Sequence, residues 1–402
     1  MKHTLIFLML IFSSCLFNLP TEPDFYINDT YTIQLTDSAK FYMTGVYSVE
    51  EGNGLLGDEV VGIWNDRKWC MYTKHDVLFS ESAGGLVGDS INTAGYIRIV
   101  RSGSGYNLKL TISPEEGAME LIQGSKPTKI ILRGKSSSGT KIVLKRIRSI
   151  INSPTTFYIL AHRGGGRNSE RLGKSENSIE MIRYATILGA NGVEIDVKRT
   201  RDKHLIVFHD DTFSPRTVQG TYLLGKVENF DLDQIKIFGQ LIYGEAIPTL
   251  EEALNAIIDE TKLSLIWIDL KDPEIIDDVI VAQQNAINRA IASNRNIKIL
   301  VGIPTDEVLN AYLSSAYVNT TPVLVELDAN TARSCQTCEA WAPRWTNGIP
   351  SQDVIDDMHS RGILVFTWTL DVHDYINDFL DSNIDGILSN YPSLVAAMYY
   401  SK

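Results

Sequence analysis

Gly189-Ala-Asn-Gly-Val-Glu-Ile-Asp-Val197 is the stretch on which the reading of the fold turns. Its alternation sets Glu194 and Asp196 on one face of a strand and Val193, Ile195 and Val197 on the other. The apolar face is too rich for a strand wetted on both sides, so the acids point into something enclosed. Just upstream, Ser178 to Leu188 carries Ile179, Ile182, Ala185 and Ile187 close to helical spacing. The same helix-and-strand alternation extends both ways. Strands are expected at 158–161, 193–197, 205–209, 263–270, 297–303, 322–327, 363–370 and 384–388, with helices at 250–258, after Pro248-Thr249, and 274–292. This pattern predicts an α/β fold, a TIM (β/α)8 barrel, which takes about 250 residues as one unit. The link from Lys198 to Lys203 is too short for a crossover helix and leaves the strand count open by one.

Upstream the texture is different. From Tyr26 to Ile151 short alternating runs (41–47, 60–64, 69–72, 96–100, 106–112, 129–132) are separated by Gly, Ser, Asn and Asp clusters. Such spacing predicts an N-terminal all-β barrel or sandwich. Met43-Thr-Gly-Val-Tyr47 resembles the start of a lipocalin-like barrel, and a β-sandwich spacer or binding module fits equally. Ser136 to Thr140 reads as a hairpin turn, Lys141 to Arg148 as the last strand, and Ser153-Pro154 as the boundary. His75-Asp76 reads as a turn, and this region carries no catalytic constellation. The expected organisation is 1–20 signal or lipoprotein segment, 21–152 β-rich accessory domain and 153–402 barrel domain.

The first residues read as an export signal: Met1-Lys2-His3, an apolar run to Phe12, then Ser13-Ser14-Cys15. Cys15 would be the lipidated residue of a membrane-anchored lipoprotein; plain secretion and a retained anchor are the alternatives. The chain is thus expected to be exported: periplasmic, secreted or anchored. Asn28-Asp-Thr30 and Asn319-Thr-Thr321 are glycosylation sequons, relevant only to a eukaryotic source. Cys335-Gln-Thr-Cys338 could be a redox pair, half a zinc site or a local disulfide. Nothing completes a zinc site, so in an exported chain the disulfide is expected.

The 402 residues carry 49 acidic against 37 basic side chains, a formal charge of −12. That balance, with no basic stripe, argues against a nucleic-acid partner. It also repels an anionic small substrate unless a bound cation reverses the local sign.

Active sites of such barrels lie at the C-terminal ends of the strands. There stand His162, Arg163, Glu194, Asp196, His209, Asp269, Lys271 and Trp368. Burying so many polar groups is costly without a function. Three converging acids, Glu194, Asp196 and Asp269, suit a hard cation, Ca²⁺ or Mg²⁺, rather than zinc. Arg163 and Lys271 would share phosphoryl charge, and His162 and His209 would act as acid and base. Gly164-Gly-Gly166 is a turn and not a nucleotide loop, since no Lys-Ser/Thr follows. Trp368 could be core or a substrate wall. His204, His359 and His373 read as surface residues without partners.

At this point a resemblance becomes specific. Residues 157–402 resemble the glycerophosphodiester phosphodiesterase family. The matching stretches are Ala161-His-Arg-Gly164, Glu176-Asn-Ser178, residues 189–197, Val207-Phe-His-Asp210, Arg216-Thr217, Ile247-Pro-Thr-Leu250, Asp269-Leu-Lys271, Trp368-Thr369 and Asp385-Gly-Ile-Leu-Ser-Asn-Tyr-Pro392. The resemblance implies that His162 and His209 are the acid/base pair and that Glu194, Asp196 and Asp269 hold the metal. It further implies that Arg163 and Lys271 bind phosphate and that Glu176 lies beside the metal. The activity implied is hydrolysis of glycerophosphodiesters to glycerol 3-phosphate and an alcohol. A phospholipase-like or phosphotransferase (lyase) reaction giving a cyclic phosphate, and a non-catalytic surface binding protein, are the competing readings. Three departures stand out. Asp269 replaces the family's usual Glu and is shorter by one methylene. Gly165 to Ser175 is long and basic, and Asp211 to Ala246 allows only a small cap.

Overall fold

The computed structural model of the protein describes residues 34–75, 77–100, 102–150, 157–220 and 222–402. The export segment with Cys15, the Asn28 sequon, Asp76 and the Ser153-Pro154 step lie outside them.

The first unit is a closed antiparallel barrel of eight strands in sequence order. They are β1 (Gly45–Glu51), β2 (Glu59–Asn65), β3 (Lys68–Thr73), β4 (Leu78–Val87), β5 (Ser90–Ile99), β6 (Ser104–Ile112), β7 (Ile131–Ser136) and β8 (Lys141–Arg148). Because β1 pairs with both β2 and β8, the ring closes, and the sandwich alternative is excluded. Alternate residues fill the interior, among them Val60, Trp69, Met71, Leu108, Leu110, Leu132 and Leu144. Two local expectations are corrected. The run starting at Phe41 is not strand at its start: Asp37–Met43 is helical, with Thr36 Oγ1 capping Ala39 N at 3.2 Å and with Ala39 and Met43 buried in the barrel core. The Gly-rich β4 was not anticipated as a strand. Its Gly84 is small because a Cβ there would lie 2.6 Å from the Trp64 ring.

The second unit is the anticipated parallel barrel. Its staves are β9 (Tyr158–Ala161), β10 (Gly192–Arg199), β14 (Leu265–Leu270), β15 (Lys298–Ile303), β16 (Val323–Val325), β17 (Cys338–Trp341), β18 (Leu364–Thr367) and β19 (Gly386–Ser389). The ring closes through β9, which pairs with both β19 and β10. Leu160, Leu265, Trp267, Leu300, Leu324, Ala340, Phe366 and Leu388 pack together as the inner core. The alternate residues of the staves, such as Val193, Ile195, Ile266 and Ile268, join the core shared with the surrounding helices.

The strand-count ambiguity resolves in two compensating corrections. β11 (Leu205–Val207) is no stave: it folds back antiparallel on β10, pairing Val207 with Val197. The missing stave is β17. After β11 comes a small cap holding the short hairpin β12 (Thr212–Phe213) and β13 (Gly225–Lys226), then the helix Leu232–Phe238. The cap has its own minor core of Phe208, Phe213, Leu223, Ile235 and Leu241.

The last helix, Pro392–Tyr400, is buried along its whole length. One side packs on β9 and β19 and another on β2, β3 and β4 of the antiparallel barrel. A helix covered on all sides has no reason to be amphipathic, which explains its run Leu-Val-Ala-Ala-Met-Tyr-Tyr. Tyr72 Oη donates to Ile187 O at 2.9 Å, and Tyr184 Oη donates to Glu81 Oε1 at 3.0 Å across the same seam. Further along the seam a cleft of about 710 Å³ opens among Lys68, Glu81, Lys174, Arg183 and Lys262.

Among the described residues Cys70, Cys335 and Cys338 are free thiols, so the expected Cys335–Cys338 disulfide is not formed. Cys338 is buried at the start of β17, with Sγ 3.2 Å from Ala340 O, while Cys335 Sγ faces Thr337 Oγ1.

Candidate active site

Register builds the acid cluster. β10 and β14 run parallel with Glu194 opposite Trp267 and Asp196 opposite Asp269, so every second residue faces the barrel mouth. One oxygen each of Glu194, Asp196 and Asp269 lies within 4.8 Å of the others. Glu194 Oε1 and Asp269 Oδ1 are buried without a hydrogen-bond partner. Burial and the neighbouring Asp196 and Asp269 push Glu194 well above the usual carboxylate range. Burial and Asp196 likewise raise Asp269 to about 6. Burial alone would raise Asp196 too, but His209, Lys271 and Arg163 outweigh it and hold Asp196 low. Crowded, buried, oxygen-only donors, two of them with an unpartnered oxygen, fit a hard divalent cation. The shorter Asp269 still reaches the cluster.

The loop after β9 supplies the next layer. Arg163 sits at φ 51°, in the left-handed region, and its N–H donates to Glu194 Oε2 at 2.7 Å. Asn177 is also left-handed, at φ 61°, a conformation Asn tolerates. Its Nδ2 donates to Asp196 Oδ2 at 2.8 Å, and its Oδ1 accepts from Asp196 N. Glu176, expected beside the metal, has a different task. Its Oε1 accepts from Arg163 Nη1 at 3.0 Å and Arg216 Nη2 at 2.9 Å, and its Oε2 accepts from Asn168 N at 2.8 Å. Oε1 steers Arg163, while Oε2 is taken by Asn168 and Arg216 Nη1.

The histidines flank the acids. His162 Nε2 stands 3.9 Å from Glu194 Oε2. The fold-back of β11, sealed by Phe208 N donating to Asp196 O at 3.0 Å, carries His209 to 4.0 Å from Asp196 Oδ1. Asp210 Oδ1 accepts from His209 Nδ1 at 2.8 Å, and Arg216 grips Asp210 in turn. His162 Nδ1 lies 2.7 Å from Asn390 Oδ1. Asn390 Nδ2 donates to Asp371, which leaves Oδ1 as the acceptor for an Nδ1–H of His162. His162 thus presents Nε2 to the site, while His209 Nε2 accepts from Arg163 Nη2 at 2.7 Å and lies 3.3 Å from Lys271 Nζ. Burial, then Arg163, lowers His162 to about 4, and burial also lowers His209. Lys271 pairs with Asp269 at 3.4 Å and Asp196 at 3.7 Å and not with Asp272.

These groups open into a cavity of about 750 Å³. Trp368 forms part of its wall, its ring fixed by Nε1 donating to Ala342 O at 2.8 Å. His162, Arg163, Glu194, Asp196, His209, Asp269, Lys271 and Trp368, the residues expected at the strand ends, therefore meet at one barrel mouth, with Glu176 behind Arg163. Sequence reasoning missed Asp210, Arg216, Asp371 and Asn390 as positioning groups, although three of them lie in stretches that carried the resemblance. It also missed Glu326 and Arg344, which line the cavity. Glu326 directly follows a strand end and was findable by the rule that revealed Asp269. His204, His359 and His373, expected to have no partner, each have an acidic neighbour, which corrects the expectation. His359 Nε2 meets Asp385 at 2.8 Å, His373 Nδ1 meets Asp374 at 3.2 Å, and His204 Nε2 lies 3.8 Å from Asp202.

The sequence model of the glycerophosphoryl diester phosphodiesterase family matches residues 162–394, and the antiparallel barrel lies outside the match. A glycerophosphodiester phosphodiesterase of Caldanaerobacter subterraneus subsp. tengcongensis is 29% identical over 250 residues, covering 58% of this chain and 94% of the relative. Human glycerophosphodiester phosphodiesterase 1 is 34% identical over 117 residues, covering 27% of this chain and 33% of the human protein. The crystal structure of a glycerophosphodiester phosphodiesterase from Parabacteroides distasonis superposes with a TM-score of 0.49 at 20% identity, covering 61% of this chain and 98% of that one.

Proposed function

The chain belongs to the glycerophosphoryl diester phosphodiesterase family, and from that premise we propose that it hydrolyses glycerophosphodiesters by metal-dependent His/His catalysis, releasing glycerol 3-phosphate and an alcohol. The observation that supports this most is the meeting of Glu194, Asp196 and Asp269 within 4.8 Å, with His162 and His209 on either side. Glu194, Asp196 and Asp269 would hold a divalent cation, Ca²⁺ or Mg²⁺, which would supply Lewis-acid polarisation at a phosphoryl oxygen. Arg163 and Lys271 bind the remaining phosphoryl oxygens and share the charge that develops on them. His162, kept neutral by burial, takes a proton at Nε2 from the water that attacks phosphorus, and Asn390 fixes its tautomer. His209 protonates the departing alkoxide from Nε2, while Asp210 on Nδ1 and Asp196 nearby stabilise its charged form.

The test is release of glycerol 3-phosphate from glycerophosphocholine with Ca²⁺ or Mg²⁺, repeated after EDTA. Turnover should vanish in EDTA, and His162→Ala should lower kcat by about 10²- to 10⁴-fold with the fold intact. Full activity in EDTA, or in the His162→Ala protein, would sink the proposal. Accumulation of a stable cyclic phosphate would point instead to the lyase-type reaction.

A further inference from the structure

The cavity continues beyond the reacting centre, and its far half holds charged and polar groups that the mechanism above does not use. Glu326 follows the end of β16, and its Oε1 is buried without a hydrogen-bond partner among the described residues. It is not one of the three acids whose oxygens meet. Arg344 lies three residues beyond the end of β17, the neighbouring stave, and its guanidinium is stacked 4.5 Å over the Trp368 ring. Among the described residues Arg344 makes no salt bridge, unlike Arg163 and Arg216, which are both committed to Glu176. Val325 lies opposite Trp341 in the sheet, and Ala342 N donates to Val325 O at 2.8 Å. Glu326 therefore sits near the level of Ala342, and Arg344 follows two residues later in the loop above β17, bridged to Trp368. The Trp267 indole N–H, also unpartnered, lies beneath, its close approach to β15 allowed by Gly302, where a Cβ would stand 2.8 Å from Nε1. The far half of the cavity thus offers a carboxylate oxygen without a hydrogen-bond partner low on its wall and, at its rim, an aromatic-stacked cation without a salt bridge among the described residues.

We propose that this half is a subsite for a leaving alcohol carrying both an ammonium and a carboxylate, the ammonium held at Glu326 and the carboxylate at Arg344. The physical reason is complementarity. Glu326 is half-buried with Oε1 shielded from water, and burial, then Asp269, holds its carboxyl well above the usual range against the opposing pull of Lys271 and Arg344, so an arriving ammonium relieves an existing deficit. Arg344, already ordered on Trp368, presents its fork of donors at little entropic cost, in a geometry suited to a carboxylate. A leaving group with only one charge would match one end, and a neutral polyol neither. This assignment rests on the phosphodiesterase reading of the same site.

The experiment compares kcat/KM for three diesters with the same glycerophosphoryl part, using the full chain with its divalent ion. Glycerophosphoserine carries both charges, glycerophosphoethanolamine the ammonium alone, and glycerophosphoglycerol neither. The unmodified protein should favour glycerophosphoserine. Arg344→Gln should lower kcat/KM for glycerophosphoserine by about 10-fold or more and change the ratio of the other two little. Glu326→Gln, nearly isosteric, should lower the serine and ethanolamine diesters together relative to the glycerol diester. Equal turnover of all three by the unmodified protein, or equal losses across the panel in both variants, would overturn the subsite while leaving the phosphodiesterase reading intact. Failure of the unmodified protein to cleave any of the three would overturn that reading, and the subsite with it.

Discussion

At the scale of single residues, the acid cluster stores an unfavourable interaction that should be readable as stability. Asp269 is raised from 3.8 to about 6 by burial and by Asp196. Between those values the folded protein keeps a proton that the unfolded chain has released. The stability tied to this group is therefore full below 3.8 and lost as pH rises through about 6. Asn at this position never ionises. In EDTA, Asp269→Asn should match the original chain near pH 4 and exceed it at pH 8 by on the order of 2–3 kcal/mol. With millimolar Ca²⁺ or Mg²⁺ the order should reverse, because only the intact cluster gains from binding. Thermal melts across pH, with and without the ion, check both halves. A variant less stable than the original in EDTA at pH 8 would show that the carboxylates are not in conflict. These acids were legible because a two-residue period on a strand announces itself in the sequence. Asn390 and Asp210 were not singled out, since a residue that orients a histidine has no pattern until the fold brings the two together.

Elements were legible by composition and misread where pairing direction decided. Leu205-Ile-Val207 has the β-branched, apolar character of a stave, yet it pairs antiparallel on β10 because a link from Lys198 to Lys203 can only turn back. Cys338-Glu-Ala-Trp341 is a stave whose short, mixed composition hid it. The fold-back has a chemical consequence, since it is what carries His209 over Asp196. The loop after β9 is pinned in a comparable way. Ser175 N and Oγ donate to Glu245 at 2.9 and 2.6 Å, and Tyr243 N donates to Ser175 Oγ at 3.0 Å. The cap thus clamps the residue just before Glu176, which steers Arg163. Glu245→Ala removes two bonds to Ser175 without touching the site. It should cost about 1–3 kcal/mol of stability. It should also lower kcat/KM by on the order of 10- to 100-fold, through misplacement of Arg163. Unchanged steady-state kinetics in this variant would mean that the loop holds its shape without the clamp.

At the scale of the whole molecule, the two barrels share a core, and that sharing resides largely in the helix Pro392–Tyr400. Its buried residues belong to one apolar cluster with Val46, Val61, Tyr72 and Phe79 of the antiparallel barrel and Ile159, Val193 and Ile387 of the parallel one. Sequence reading separated the two units by texture but had no means of foreseeing this seam, because an all-apolar terminal helix fits an ordinary barrel end equally well. Continuity of packing implies continuity of unfolding: exposing the helix on one side removes apolar burial from both units at once. Ala396, fully buried, faces Gly189, where a Cβ would lie 2.7 Å from its own, with Tyr72 the next nearest neighbour. An ionised side chain at that point would be set among Gly189, Tyr72 and the apolar core. Ala396→Asp should therefore destabilise by about 3–5 kcal/mol, several times what a surface substitution does. Calorimetry should show one transition for the unmodified chain, and in Ala396→Asp a lower onset with the two barrels melting apart. If the unmodified chain already melted in two steps, or Ala396→Asp left the transition in place, the antiparallel barrel would be a tethered neighbour and not part of one folded body. The active site would then owe nothing to it. If the melting is joint, the barrel outside the family match stabilises the end of the chain that follows Asn390, the residue holding His162 in its working tautomer.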